Sequence, residues 1–489
     1  MDQRNLTLLT DFYELTMMQG YFKEKAANET VIFDMFYRTN PFGNGFAVCA
    51  GLEQVIEYIN DLHFSQEDVD YLRSTGMFEE DFLEYLRHFR FSGDIYAIPE
   101  GTVVFPREPL VKVVAPIMEA QLVETALLNI INHQSLIATK TYRVVHAAQG
   151  DGVMEFGLRR AQGPDAGLYG ARAAMIAGCV GTSNVLAGQM FDVPVKGTHA
   201  HSWIMSFPDE LTAFRTYARM YPSACILLVD TYDTLNSGVP NAIQVFKEMR
   251  GAGIPLTFYG IRLDSGDLAY LSKEAKRMLT EAGFPDAVIS ASNDLDEELI
   301  DSLKLQGAAI NSWGVGTHLI TAKDCPSFGG VYKLAAIQDR DTGKFIPKIK
   351  LSENAEKITN PGNKTIRRIY SQKTGKIIAD LICLADENFD ESRSLLLFDP
   401  IQTWKKTHLA PKSYTMRELL IPVFKKGACV YHSPKVMDIQ AYCKQELSTL
   451  WEESRRLVNP HKVHVDLSNE LWHMKNQLLD SYHHTSNEN

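Results

Sequence analysis

Ile226-Leu227-Leu228-Val229-Asp230-Thr231-Tyr232-Asp233 is an apolar run of strand length that stops on two carboxylates. Short aliphatic, β-branched runs bounded by polar residues read as buried strands. The same pattern recurs on both sides. Upstream lie Val153-Met154-Glu155-Phe156-Gly157 and Val193-Pro194-Val195-Lys196. Downstream lie Leu256-Thr257-Phe258-Tyr259-Gly260-Ile261, Ala287-Val288-Ile289-Ser290-Ala291, Ala308-Ala309-Ile310-Asn311-Ser312 and Gly330-Val331-Tyr332-Lys333-Leu334. Helices fit between them, as over 267–281, where Leu268, Leu271, Ala275, Met278 and Leu279 fall at helical spacing. Strands alternating with helices predict parallel βα units, and six or seven such units predict an α/β barrel.

The polar residues fall where a barrel enzyme needs them. The strand candidates run into polar clusters at 155–160, 198–202, 230–233, 262–267, 292–294 and 314–317. Barrel active sites are built from such C-terminal strand ends, so the clusters read as one rim.

The flanks differ. Runs at 95–98 and 110–114 read as strands and 68–91 as helical, which predicts a separate α+β domain over 1–135, with the barrel over 136–340. A strand-rich segment over 341–440, with turn signals at 341–343, 360–362 and 373–375, is expected to return to the N-terminal domain. A helical extension over 441–489 ends in a polar tail from Ser481, expected to be disordered. The basic run over 344–368 reads as a solvated hairpin face. The 489 residues carry 49 Lys and Arg against 60 Asp and Glu, a net charge of −11, which argues against a nucleic-acid partner. Seven scattered cysteines without a Cys-x-x-Cys suggest neither a disulfide framework nor a zinc knuckle, and a reducing cytoplasm fits. Neither a signal peptide nor a membrane span is expected.

Four constellations carry the chemistry. Gly197-Thr198-His199-Ala200-His201-Ser202 places two histidines at a strand end, where an imidazole can titrate, transfer protons, bind metal or accept a phosphoryl group. The spacing of His199 and His201 is also that of a His-x-His metal pair in barrel hydrolases, although the later strand ends offer no histidine before His318. Asp230, opposite His201 on the rim, can orient an imidazole; helix capping is its plainer use. In Gly260-Ile261-Arg262-Leu263-Asp264-Ser265-Gly266-Asp267, Arg262 and Asp264 share one face of an extended segment. The first offers a planar fork for a carboxylate or phosphate, the second an acceptor for ribose hydroxyls, and Asp267 opens a helix. Gly314-Val315-Gly316-Thr317 provides a glycine loop where barrels bind phosphate, and Arg159-Arg160 adds cations.

These strings, together with Leu9-Thr10-Asp11-Phe12-Tyr13, Glu155-Phe156-Gly157-Leu158-Arg159-Arg160-Ala161-Gln162-Gly163-Pro164-Asp165 and Thr182-Ser183-Asn184-Val185-Leu186-Ala187-Gly188, resemble the bacterial nicotinate phosphoribosyltransferases over nearly the whole chain. The resemblance implies an irregular (β/α) barrel plus an α+β sandwich-like domain. It also implies ATP-coupled transfer of phosphoribosyl from phosphoribosyl pyrophosphate to nicotinate, with Mg²⁺, in NAD biosynthesis. His201 matches the histidine that ATP phosphorylates and Asp230 its orienting carboxylate. Tyr13, Phe156, Arg159, Ser183, Thr198 and Arg262 match nicotinate-side positions, and Asp264 a ribose partner. Asp267, Gly314, Gly316 and Thr317 match the phosphoribosyl-phosphate loops. The family's site lies at a homodimer interface, with Tyr13 reaching the neighbouring subunit. Enzymes of the related nicotinamide class carry an aspartate at the position of Ser183, so serine favours the acid. Nicotinamide transfer and a metal-dependent hydrolase using His199 and His201 are the alternatives.

Overall fold

The computed structural model describes residues 4–24, 26, 29–354 and 357–486, with side chains through residue 482. The chain divides into two compact units. One comprises 137–326 with 435–440, and the other comprises 1–136, 327–434 and 441–489.

The 137–326 unit holds a six-stranded parallel sheet. Its strands are β1 (Gly152–Glu155), β2 (Gly181–Thr182), β3 (Cys225–Leu228), β4 (Tyr259–Leu263), β5 (Val288–Ala291) and β6 (Ser312–Val315). Their spatial order is β2-β1-β6-β5-β4-β3. The principal helices are α1 (Pro164–Ile176), α2 (Val185–Phe191), α3 (His201–Met205), α4 (Glu210–Met220), α5 (Val239–Gly251), α6 (Leu268–Glu281), α7 (Glu297–Leu305) and α8 (Thr317–Ile320). β1 lies beside β6, as in a barrel, but β2 and β3 do not pair, so the sheet is a half-barrel. The expected strand at 193–196 contributes only one bridge, Thr182 to Val195, because Pro194 lacks a ladder donor. The register aligns the strand ends: Leu228 with Arg262, Arg262 with Ser290, Ser290 with Ser312, and Glu155 with both Val315 and Thr182. Ile226, Leu227, Leu228, Ile261, Leu263, Ile289, Trp313 and Val315 are buried and form the sheet's core.

Two strand expectations shift. The run 308–312 is a connection, and β6 starts at Ser312, which puts Gly314 inside the strand. The run at 330–334 is not a barrel strand. It begins Gly330–Gln338 in the other unit, antiparallel to Thr30–Tyr37.

In the second unit, a seven-stranded antiparallel sheet runs in the order Phe345–Pro347, Gly330–Gln338, Thr30–Tyr37, Val111–Pro116, Asp94–Ala97, Ile421–Lys425 and Ala428–Cys429. A four-stranded sheet orders Tyr414–Glu418, Lys364–Ser371, Ile377–Leu384 and His464–Leu467. The helical run expected at 68–91 is two helices, Gln66–Ser74 and Glu80–Arg87, separated at Gly76, whose φ is +67°. Helix Asn469–Ser486 runs into the polar segment that starts at Ser481. Residues 487–489 lie outside the described residues. The basic run also departs from a solvated face: Lys364 and Arg368 are buried in ion pairs with Asp34 and Asp380.

Candidate active site

Arg262, near the end of β4, anchors the rim. Its Nη1 donates to Thr198 Oγ1 at 2.6 Å and to the His199 carbonyl at 3.3 Å, and its Nη2 lies 3.8 Å from Asp264 Oδ1. Its Nε is buried without a hydrogen-bond partner. Burial pulls its pKa down, against the charges of Asp264 and Asp230, but a guanidinium stays protonated at neutral pH. The result is a fixed cation with an unfilled donor, suited to a planar anion.

His201 is the first residue of α3, and its side chain is 38% exposed. Nδ1 lies 3.0 Å from Thr231 Oγ1, and Nε2 lies 3.6 Å from Asp264 Oδ2. A hydroxyl both donates and accepts, so Thr231 satisfies Nδ1 in either tautomer. Asp230, the expected orienting group, does not touch the ring. Its Oδ2 accepts from the Asp264 N–H at 2.7 Å and from Ser265 Oγ at 2.8 Å, while its Oδ1 is buried and unpaired. Asp230 thus fixes the loop that carries Asp264. Asp264 Oδ1 also accepts from Ser292 Oγ, so β3, β4 and β5 all contribute to holding this carboxylate.

His199 departs from the metal-pair reading. Its Nε2 accepts from the Leu228 N–H at 3.4 Å, and its ring packs edge-on against Tyr217 with centroids 4.6 Å apart. Burial, then the charge of Arg262, push its pKa down to about 4, so the ring is neutral at pH 7. Its Nδ1 is buried without a hydrogen-bond partner, and among the described residues no three His, Cys, Asp or Glu side chains gather to hold a metal ion. No strand forms at 199–201: Ala200 is the extended residue that caps α3, and His201 is the first residue of that helix.

Phe156 follows β1, and its backbone N–H donates to the Val315 carbonyl at 2.8 Å. Its ring lies across Gly314: a Cβ built there would sit 2.7 Å from Phe156 Cδ2 and 3.6 Å from Ser292 Cβ. Gly314 therefore makes room for an aromatic plate beside the Asp264–Ser292 pair, a different use from the expected phosphate approach. Gly316 does stand in the loop, directly before Thr317 and α8. Ser183 follows β2, its N–H held by the Glu155 carbonyl at 3.0 Å. Arg159 is exposed in a single turn just past β1. Asp267 caps α6, accepting from the Tyr270 N–H at 3.0 Å, the plainer of its two sequence readings. Tyr13 belongs to the other unit, 47% exposed on helix Phe12–Lys23.

Several supporting residues escaped the sequence reading. Glu155 is fully buried; it accepts from Thr182 Oγ1 at 2.6 Å and from the Gly157 N–H, tying β1 to the two-residue strand β2. Desolvation raises its pKa. Thr231, Ser265 and Ser292 lie three, two and one residues past the ends of β3, β4 and β5, and that position was the available signal.

Comparison with known proteins supplies the family. The nicotinate phosphoribosyltransferase (NAPRTase) N-terminal domain model matches residues 8–132, the NAPRTase family model 152–355, and the C-terminal domain model 363–475. The chain is 48% identical to a nicotinate phosphoribosyltransferase of Bacillus subtilis over 97% of its length and 95% of that protein. Identity to the human nicotinate phosphoribosyltransferase is 32%, covering 96% of each chain. A crystal structure of human nicotinic acid phosphoribosyltransferase superposes with a TM-score of 0.82 at 30% identity, over 96% of this chain and 99% of that one. The chain belongs to the nicotinate phosphoribosyltransferase family.

Proposed function

We propose that this chain transfers phosphoribosyl from phosphoribosyl pyrophosphate to nicotinate, with ATP hydrolysis coupled through His201. The arrangement that carries the reading is the convergence of Arg262, Asp264 and His201 beside the Phe156 ring, on one rim of the half-barrel. Phe156 stacks on the pyridine ring, and Arg262 with Thr198 receives its carboxylate. Asp264 accepts from a ribose hydroxyl. The ring nitrogen's lone pair then forms the new bond to C1′ as the C1′–O bond breaks, and pyrophosphate leaves with that electron pair. Positive charge grows on the sugar and negative charge on the leaving group. The carboxylate of Asp264 therefore stabilises one partner, while the backbone amides about Gly316 and Thr317, with Arg159, stabilise the other.

In the coupling step, His201 Nε2 attacks the terminal phosphorus of ATP, ADP departs, and Thr231 holds Nδ1 throughout. The added charge of about −2 repels Asp264, 3.6 Å from Nε2. That repulsion turns the aspartate toward the substrate, a route by which phosphorylation promotes sugar binding. Hydrolysis of the phosphoimidazole resets the ring. Mg²⁺ keeps water and phosphate oxygens as most of its ligands and needs one or two carboxylates, a demand that Asp264 and the unpaired Oδ1 of Asp230 fit. It would supply charge neutralisation of the pyrophosphate. The apolar residues Leu9, Phe12, Tyr13 and Met17, 37–50% exposed on the second unit, support a homodimer in which Tyr13 serves the neighbouring site. Incubation with phosphoribosyl pyrophosphate, ATP and either nicotinate or nicotinamide tests the reading. Nicotinate mononucleotide should form, and comparable product from nicotinamide would refute it.

A further inference from the structure

His318 lies just past β6, and nothing in the proposed mechanism uses it. It is the second residue of α8, directly after Gly316 and Thr317. Its Nδ1 lies 3.1 Å from Asp296 Oδ2, and both side chains are largely shielded, at 16% and 18% exposed. A carboxylate only accepts, so Nδ1 carries a proton in this contact. The other oxygen of Asp296, Oδ1, accepts from the Leu299 N–H at 2.9 Å and caps α7. The next residue, Glu297, is buried; it accepts from Arg143 Nε at 2.7 Å and pairs with Lys140 Nζ at 2.7 Å. Asp296 therefore stands on a fixed base, and His318 ties the loop after β6 to the loop after β5.

The loop after β5 is held at both ends. At its start, Ser292 Oγ donates to Asp264 Oδ1, the carboxylate assigned to the ribose. At its end stands Asp296. Between them Asn293 and Asp294 are both left-handed, with φ of +91° and +40°, and Leu295 is buried. Asn and Asp visit that region singly; two in succession hold strain, which persists only where flanking contacts impose it. The His318–Asp296 contact is one of those. It sets two parts together: the Gly316–Thr317 backbone, assigned to the leaving group, and the Asp264 carboxylate, assigned to the sugar.

We propose that His318 is a positioning residue for phosphoribosyl pyrophosphate: clasped to Asp296, it holds the anion loop and the ribose carboxylate at the spacing that one ligand spans. That role rests on the transferase reading above. Calorimetric titration of the full chain with phosphoribosyl pyrophosphate and Mg²⁺ tests it without turnover, and KM for nicotinate is measured alongside. His318→Leu keeps most of the bulk and deletes the donor. It should weaken phosphoribosyl pyrophosphate roughly tenfold and leave KM for nicotinate within about twofold. His318→Asn places an amide donor at the same distance along the side chain and should restore binding. Asp296→Ser still caps α7 but is too short to reach the imidazole, so it should match His318→Leu. Combining His318→Leu with Asp296→Ser should weaken binding no further than either change alone. Unchanged phosphoribosyl pyrophosphate binding in His318→Leu, a parallel rise in KM for nicotinate, or no recovery in His318→Asn would overturn the proposal. Absence of binding by wild type would overturn the transferase reading, and the role of His318 with it.

Discussion

Thr231 is the residue whose removal says most about how the rim works. Replacing it by valine keeps the volume and the β-branch and deletes only the hydroxyl that lies 3.0 Å from His201 Nδ1. The ring is 38% exposed, and its other nitrogen is 3.6 Å from a carboxylate, too far for a strong hydrogen bond. Thr231 is thus its one close polar tether among the described residues, and without it the ring's orientation about χ2 is less fixed. A net hydrogen bond contributes about 1 kcal/mol, and about 2 kcal/mol where one partner becomes charged, as the imidazole does during phosphoryl transfer. That converts to roughly five- to thirtyfold in the rate of the ATP-dependent step. The assay measures nicotinate mononucleotide formed per ATP hydrolysed, with KM for nicotinate alongside. Thr231→Val should lower the ATP-dependent rate by that factor and leave KM for nicotinate unchanged, since Thr198 and Arg262 are untouched. Thr231→Ser should restore the rate. Wild-type coupling in the valine variant, or equal loss in both variants, would show that the Thr231 hydroxyl does not position His201.

Three further perturbations separate the roles on the rim. Gly314→Ala pushes a methyl into the Phe156 ring, at a contact of 2.7 Å, and should raise KM for nicotinate and cost about 1–3 kcal/mol of stability by denaturant titration. Ser183→Asp sets a carboxylate near the pyridine substituent and should weaken nicotinate at least about tenfold while admitting nicotinamide, read from kcat/KM for the two bases. His199 has a folded pKa depressed to about 4 from its usual 6.5, so its contribution is complete above pH 6.5 and is lost as the pH falls toward 4. The loss amounts to at most about 3 kcal/mol. His199→Gln should flatten that part of the stability curve between pH 6.5 and 4 in urea titrations.

The strand ends were the legible part of the chain. Aliphatic runs such as 225–228 and 288–291 are strands because nothing but a buried sheet hides that much branched hydrocarbon, and the polar residues after them had to face a rim. What stayed hidden depended on pairing across distance. β2 is only two residues long and has no periodicity; it exists because Glu155 ties it to β1. The run at 330–334 looks like any other buried strand, and only its partner at 30–37 decides which sheet takes it. Asp230 follows β3, yet a strand pattern cannot tell that its carboxylate serves the Asp264 loop while the hydroxyl next door meets the histidine. His199 and His201 differ for the same reason. Tyr217 and Phe214, from a helix that starts nine residues later, wall in one ring and leave the other open.

In the proposed mechanism, His201 couples ATP hydrolysis to transfer of phosphoribosyl to nicotinate. The most direct measurement is nicotinate-stimulated ATP hydrolysis set against mononucleotide formation in wild type and in His201→Asn. Wild type should show a fixed ratio of the two. In the variant, ATP hydrolysis should fall to background while a slow, ATP-independent transfer remains. Nicotinate-stimulated hydrolysis that survives undiminished without His201 would contradict it.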